Sequence, residues 1–263
     1  MIKLNLARSC LRYLINFYGI KEIFLPYYSC NTLWSAVKKE NCKIRFYHIG
    51  NDFLPVQNFK KTDFILYINY FGLCTHNCKI LSKKYPNLII DNTQAFYSKP
   101  YGLACFNSLR KFFPVQNGAY LYMSEEKTVN NIYDEDEFLY TSVAMSENYE
   151  QFVKNELLLN NQEIKYIYPQ IEVDMRNCDY EKNKQTRIKK FWEYHKIYNG
   201  YNRIKLTPDE DEIPYCYPLC TTDETVQARL KSYRYPLLSL WGEIQKDFPE
   251  HEFLNNTVAL PLL

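Results

Sequence analysis

Two hydrophobic periods alternate along the first third of this chain, and that alternation restricts its fold more than any other feature. Lys21–Tyr27 (KEIFLPY), Lys43–Ile49 (KIRFYHI), Asp63–Ile68 (DFILYI) and Leu88–Asp91 (LIID) are short apolar runs bounded by polar residues or proline. Near-continuous runs of that length suit strands buried on both faces. Between them the period lengthens. Leu11, Leu14, Ile15 and Tyr18 fall at helical spacing, Leu33, Trp34 and Val37 make a shorter stripe, and Cys78, Leu81 and Tyr85 close a third before Pro86. Strands alternating with helices make βαβ units, so the expected fold class is α/β with a mainly parallel sheet.

The character changes after about residue 125. Asp134–Glu137 is a solvated acidic segment, and Val143–Asn161 has the pattern of a long helix. Tyr180–Tyr198 predicts another, with Ile188, Phe191, Trp192 and His195 on one face. Tyr215–Leu219 predicts a strand, and Asp223 an N-cap for a helix running to Ser232. The expected organisation is a large α/β domain over residues 1–165 and a small α+β domain over 166–263.

Composition excludes several classes. The 263 residues carry 32 Lys and Arg against 30 Asp and Glu, a net charge of +2, without the basic excess of a nucleic-acid-binding surface. No apolar run approaches the ~18 residues of a membrane-spanning helix. Lys3, Arg8 and Arg12 interrupt the N-terminal segment, which therefore does not read as a signal peptide. Nine cysteines, an odd number in a large chain, fit reduced thiols and a cytoplasmic location. Cys74 and Cys78 flank His76, and Cys216 and Cys220 repeat the spacing, but neither segment has the glycine-bearing turn of a zinc knuckle, so no metal is expected. The 25 Tyr and 16 Phe are spread throughout, which reads as compositional bias rather than a binding wall.

Three segments carry residues suited to chemistry. Ala7-Arg8-Ser9-Cys10-Leu11 opens a helix, where free N–H groups suit a phosphate and the Ser9 hydroxyl can add to them or simply cap the helix. In Ile89-Ile90-Asp91-Asn92-Thr93-Gln94-Ala95 an aspartate ends a buried parallel strand, at the sheet edge where α/β proteins bind ligands; capping of the next turn is the plainer role. In Ser108-Leu109-Arg110-Lys111-Phe112-Phe113-Pro114, a lysine among aromatics beside an arginine is placed to have a depressed pKa and act as a nucleophile. The Asn117-Gly118 pair that follows also fits an exposed basic pair ahead of a hairpin.

In this order, the segments resemble the DegT/StrS family of sugar aminotransferases, enzymes of aspartate-aminotransferase-like fold type I that use pyridoxal phosphate. Ile23–Thr32 (IFLPYYSCNT) is similar to the family's strand-Pro-loop-helix segment, and Tyr67–Gly72 (YINYFG) to its strand ending in an aromatic-Gly pair. Asp91-x-x-Gln94-Ala95 resembles the family's Asp-Ala-Ala-Gln/His-Ala motif, and Lys111 precedes Gly118 by seven residues, as the family's Schiff-base lysine precedes a Gly pair. Tyr215–Leu219, Leu230–Trp241 and Val258–Pro261 look like its closing segments. The sequence also departs from the pattern: the ring-stacking aromatic falls near Cys30, with Tyr28 the nearest ring, and Phe106 stands where the family has a serine.

The resemblance implies a role for each matching residue. Lys111 would carry the coenzyme and transfer the proton, Asp91 would keep the pyridine nitrogen protonated, and Gln94 would meet the phenolic oxygen. Ser9, Arg8 and Ser108 would hold the phosphate, with Tyr28 and Cys30 beside the ring. It further implies transfer of an amino group, from glutamate, to a nucleotide-linked keto-sugar for surface-glycan biosynthesis, and a homodimer that shares its sites. Two other readings are a fold-type-I scaffold without turnover and a transaminase of a small non-nucleotide substrate.

Overall fold

The computed structural model describes residues 1–124, 149–160, 162–232, 237–241 and 244–263. The first part of the chain runs β1 (Ile2–Leu4), α1 (Ala7–Tyr18), β2 (Glu22–Pro26), α2 (Asn31–Lys39), β3 (Lys43–Tyr47), β4 (Ile65–Ile68), α3 (Thr75–Lys84) and β5 (Leu88–Asp91). It continues through β6 (Ala104–Phe106), β7 (Ala119–Met123), α4 (Tyr149–Asn160), α5 (Pro169–Arg176) and α6 (Tyr180–Tyr198). It closes with β8 (Cys216–Leu219), α7 (Glu224–Lys231), β9 (Leu238–Ser239), α8 (His251–Leu254) and β10 (Val258–Pro261).

Seven strands form the large sheet in the order β1-β7-β6-β5-β4-β2-β3. From β3 to β6 every pairing is parallel, and β7 runs antiparallel to both of its neighbours. All of β4, and Leu88, Ile89 and Ile90 of β5, are buried apolar residues, as expected of strands covered on both faces. Because the parallel strands share one direction, the loops after β2, β4, β5 and β6 gather at one edge. A second, antiparallel sheet, β8-β10-β9, forms the small domain against α6.

Local sequence explains most of the elements. α1 buries Leu11, Leu14 and Ile15 and ends on Gly19, whose φ of 62° is the left-handed conformation that glycine adopts most easily. Asp223 caps α7 by accepting from the Val226 N–H. The α6 bounds agree with the expectation, but its buried face does not. Arg187, Phe191, Tyr194 and Tyr198 point inward, whereas Trp192 is 45% exposed. Of the helix expected over Val143–Asn161, the structure shows Tyr149–Asn160; the start of that span and the acidic Asp134–Glu137 lie outside the described residues. All nine cysteines are free thiols, and among the described residues no helix is long and apolar enough to cross a membrane.

The turn after β4 is the tightest point near the carboxyl edge. Phe71 has φ of 59°, Gly72 has φ of 76°, and a Cβ on Gly72 would lie 2.5 Å from the Gln94 carbonyl oxygen and 2.9 Å from that of Ile213. Both obstacles are backbone, so they cannot swing aside. Gly72→Ala should destabilise the fold by about 1–3 kcal/mol or more, the range for a strained residue in a crowded site. The denaturant midpoint measures it, and an unchanged midpoint would contradict this account of the turn.

Candidate active site

Asp91 ends β5 with its side chain buried. Its Oδ1 accepts from the Thr93 N–H at 2.8 Å, and the Thr93 hydroxyl lies 3.2 Å from Lys111 Nζ. Thr93 therefore joins the carboxylate to the amine. Lys111 ends a 3-10 turn (Leu109–Lys111) that follows β6, and its ammonium sits 5.6 Å from the centre of the Tyr215 ring. Burial pushes the Lys111 pKa down, while the Asp91 carboxylate holds it up. Burial likewise raises the Asp91 pKa, against the pull of Lys111 and the Thr93 hydrogen bonds. Each group stabilises the charge of the other in a site that water reaches poorly.

A third charged group faces this pair across the cavity. Glu156 of α4 accepts from Arg8 at 3.0 Å and from Arg110 at 2.7 Å. Burial lowers the Arg8 pKa, and Glu156 opposes it. For Glu156, burial disfavours the carboxylate, but Arg110 and Arg8 together outweigh it and the pKa falls. Two guanidiniums thus share one carboxylate at the start of α1. That helix has neither a side-chain cap nor an acidic residue in its first turn. The Ser9 hydroxyl, also in the first turn, is buried without a hydrogen-bond partner among the described residues.

The site rests on Arg187 of α6. Its buried guanidinium donates to the carbonyls of Tyr215 at 2.9 Å, Lys111 at 3.3 Å and Phe112 at 3.4 Å, and stacks on the Phe112 ring at 4.4 Å. Burial lowers its pKa to about 10. Arg187 Nε also donates to Asn183, whose amide donates to the Phe112 carbonyl at 2.7 Å. These bonds fix the backbone at the lysine and at the residue after it.

Of the residues singled out from sequence, Arg8, Cys30, Asp91, Ser108 and Lys111 line one cavity at the carboxyl edge. Gln94 is buried with its Oε1 accepting from the Phe71 N–H at 2.8 Å, so this atom braces the strained turn after β4. Tyr28 is buried, stacks on Tyr70 at 5.7 Å, and lines a neighbouring cavity. Trp241 and Cys30 line both cavities. Thr93, Glu156, Arg187 and Trp241 were not singled out beforehand. Thr93 stood inside the Asp91-x-x-Gln94 segment. Arg187 shares a helical stripe with Phe191, Tyr194 and Tyr198, and a charge on an aromatic stripe is a readable signal. Glu156 has no local signal, since its partners lie 148 and 46 residues away.

No protein-family model matches the chain, and no curated protein matches it in sequence. Solved structures do match. A DegT DnrJ EryC1 StrS aminotransferase from Brucella abortus superposes with a TM-score of 0.62 at 12% identity, over 99% of this chain and 80% of that one. DesV of S. venezuelae superposes with a TM-score of 0.63 at 14% identity, over 99% and 78%. Helicobacter pylori PseC, an aminotransferase of pseudoaminic acid biosynthesis, gives 0.61 at 14%, over 98% and 80%. The fold is fold type I. The large, mostly parallel sheet and the small antiparallel sheet are the α/β architecture expected from the sequence.

The electrostatics predict a measurable pH dependence. A lysine amine reacts only when neutral, and the Lys111 pKa is depressed, so reductive methylation should reach Lys111 at lower pH than the exposed lysines. Asp91→Asn removes the charge that supports the ammonium, so the onset should move lower still. Peptide mass spectrometry across a pH series reads both effects; a shift upward in Asp91→Asn would contradict the assigned coupling.

Proposed function

We propose that the protein is a pyridoxal-phosphate-dependent aminotransferase that moves an amino group, from glutamate, to a keto-sugar. The reading includes a cytoplasmic homodimer, a coenzyme-binding domain over residues 1–165 and a small domain over 166–263. The nucleotide linkage of the sugar, and its use in surface glycans, are expectations that the family resemblance carries. The observation that supports the reading most strongly is the Lys111–Thr93–Asp91 chain in a cavity that also holds Arg8 and Arg110.

The residues present fit the coenzyme. A buried Ser9 hydroxyl with no partner among the described residues, in an uncapped first helical turn beside the Arg8 and Arg110 guanidiniums, suits a phosphate. Arg8, Ser9, Ser108 and Arg110 would hold that group. Bound there, the coenzyme supplies a carbonyl that condenses with amines and a ring that accepts an electron pair. Lys111 is held by Thr93 and pinned through its backbone by Arg187, and its lowered pKa keeps more of the amine neutral and nucleophilic. The same Nζ can then give or take a proton. Asp91 offers a fixed carboxylate to a cationic ring nitrogen.

The scaffold reading fits less well, because a protein without turnover has no use for a buried amine held against a buried carboxylate. Lys111→Ala should lose the visible absorbance of the bound coenzyme and at least roughly 10²-fold in turnover, with an unchanged circular dichroism spectrum. Asp91→Asn should keep the coenzyme and lose most activity. Full turnover by Lys111→Ala would refute the assignment. Sedimentation tests the assembly: an active monomer that retains coenzyme would rule out a shared site.

A further inference from the structure

Glu156 lines the Lys111 cavity, yet the proposed chemistry gives it no task. Its carboxylate bridges two guanidiniums that belong to separate elements. Oε2 accepts from Arg8 in the first turn of α1, and Oε1 accepts from Arg110 in the turn that carries Lys111. The bridge is sheltered, with the side chains of Arg8, Glu156 and Arg110 only 11%, 21% and 30% exposed. Solvent screens such pairs less than it screens pairs on the surface. Packing holds this part of α4 less firmly. Among the described side chains of the helix, the buried apolar one is Leu159, against Leu6, whereas Leu157 and Leu158 are exposed. The two ion pairs therefore do much of the work of keeping the carboxylate where it is.

Size and charge decide what happens when a phosphate comes to the same guanidiniums. The cavity measures about 130 Å³, below the ~300 Å³ at which small-molecule sites usually begin. Part of the wall has to give way to a phosphorylated ring. Charge selects the part that yields. A carboxylate and a phosphate both take charge-assisted bonds from guanidinium groups, so they compete for the same donors. As like charges they also repel each other, most strongly where water is scarce. Burial works against the charge of Glu156, but Arg110 and Arg8 together hold its pKa below the ordinary value, so it is ionised at neutral pH. A phosphate brings more charge and more acceptor oxygens than a carboxylate. It can take the arginines, but only by displacing the group that already holds them.

We propose that Glu156 is a built-in competitor of the coenzyme phosphate: it holds Arg8 and Arg110, the phosphate must take them from it, and this carboxylate thereby sets how tightly the coenzyme is held. The proposal rests on the coenzyme reading and goes beyond it, since it assigns coenzyme affinity to a residue that takes no part in the chemistry. The contrary role is an orienting one, in which Glu156 steadies the two guanidiniums and the phosphate binds beside it. The two roles differ in sign. Removing a competitor tightens binding, whereas removing an orienting group weakens it. The effect of a competitor is also confined to the phosphate. Pyridoxal, which has none, leaves the guanidiniums with Glu156 and gains nothing from its loss.

Equilibrium titration of the whole chain, freed of coenzyme, provides the test, with pyridoxal phosphate, pyridoxal and inorganic phosphate as probes. Coenzyme absorbance reads the first two, and calorimetry reads the third. Glu156→Gln keeps the size of the side chain and one acceptor but removes the charge. It should bind pyridoxal phosphate roughly tenfold or more tightly than the unaltered protein, and pyridoxal within about threefold of it. Inorganic phosphate should also bind more tightly. Glu156→Ala should shift binding in the same direction, and it carries the test if the glutamine variant does not fold. Pyridoxal phosphate bound equally or more weakly by either folded variant would overturn the proposal, as would an equal gain for pyridoxal. The inorganic phosphate titration keeps the parent reading separate. Should no protein show coenzyme absorbance while the variants still bind phosphate more tightly, the aminotransferase would be refuted and Glu156 would stand as the competitor of a phosphate ligand.

Discussion

The buried guanidinium of Arg187 is the interaction on which the arrangement at the carboxyl edge depends. A charge so far from water is tolerable only when its donors are satisfied, and here the acceptors are main-chain carbonyls from two separate segments. One segment carries Lys111 and the other leads into β8 of the small domain. The same group that must be neutralised by hydrogen bonding therefore fastens the lysine turn to the second sheet. The join is reinforced where the Tyr215 N–H donates to the Phe71 carbonyl at 2.8 Å and the Thr75 N–H to Glu212 at 2.7 Å. Losing Arg187 would leave buried carbonyls unpaired, at ~1–3 kcal/mol each.

Two charge systems then divide the cavity between them. Asp91 and Lys111 are joined by Thr93; burial opposes the ionisation of each, and the partner offsets that only in part. Arg8 and Arg110, by contrast, share the single carboxylate of Glu156. The proposed phosphate and the proposed nucleophile need different surroundings, and one cavity at the sheet edge offers both. The neighbouring cavity, walled by aromatic rings, meets this one at Cys30 and Trp241.

How much of this could be read from sequence depended on how local the signal was. β5 was legible because Leu88-Ile89-Ile90 is apolar without interruption and Asp91 ends it sharply; β2, β3 and β4 were likewise legible as short apolar runs with polar or proline bounds. β1, β6 and β7 were missed. The first two have three residues each, too short to show a period, and β7 alternates Tyr with Ala, Leu and Met without a polar face. Asp91 and Lys111 stood out through residue type and spacing. Glu156 did not, because ion pairs between distant segments leave no periodic trace, and the aromatic cavity draws on positions from Tyr27 to Phe248. For α6 the period was right and the phase wrong: Trp192 was placed inward on hydrophobicity, whereas the helix buries Arg187.

The edge of the large sheet has a consequence for the order in which the molecule assembles. β1, the first strand of the chain, pairs with β7, matching Ile2 to Leu121 and Leu4 to Ala119. The same amino-terminal stretch receives the crossover to the small domain, with the Asn5 N–H donating to the Lys165 carbonyl and the Ile167 N–H to the Lys3 carbonyl. Both partners are synthesised long after β1 has left the ribosome. The parallel strands and α1 can collapse meanwhile, but the amino-terminal strand must wait, its backbone groups bonded to water. Contacts so distant along the chain form slowly and leave an open strand edge on the way. The seam that closes the fold thus joins an early strand to a much later one, and a nascent chain halted before residue 119 would hold an α/β core in which β1 has no place to go.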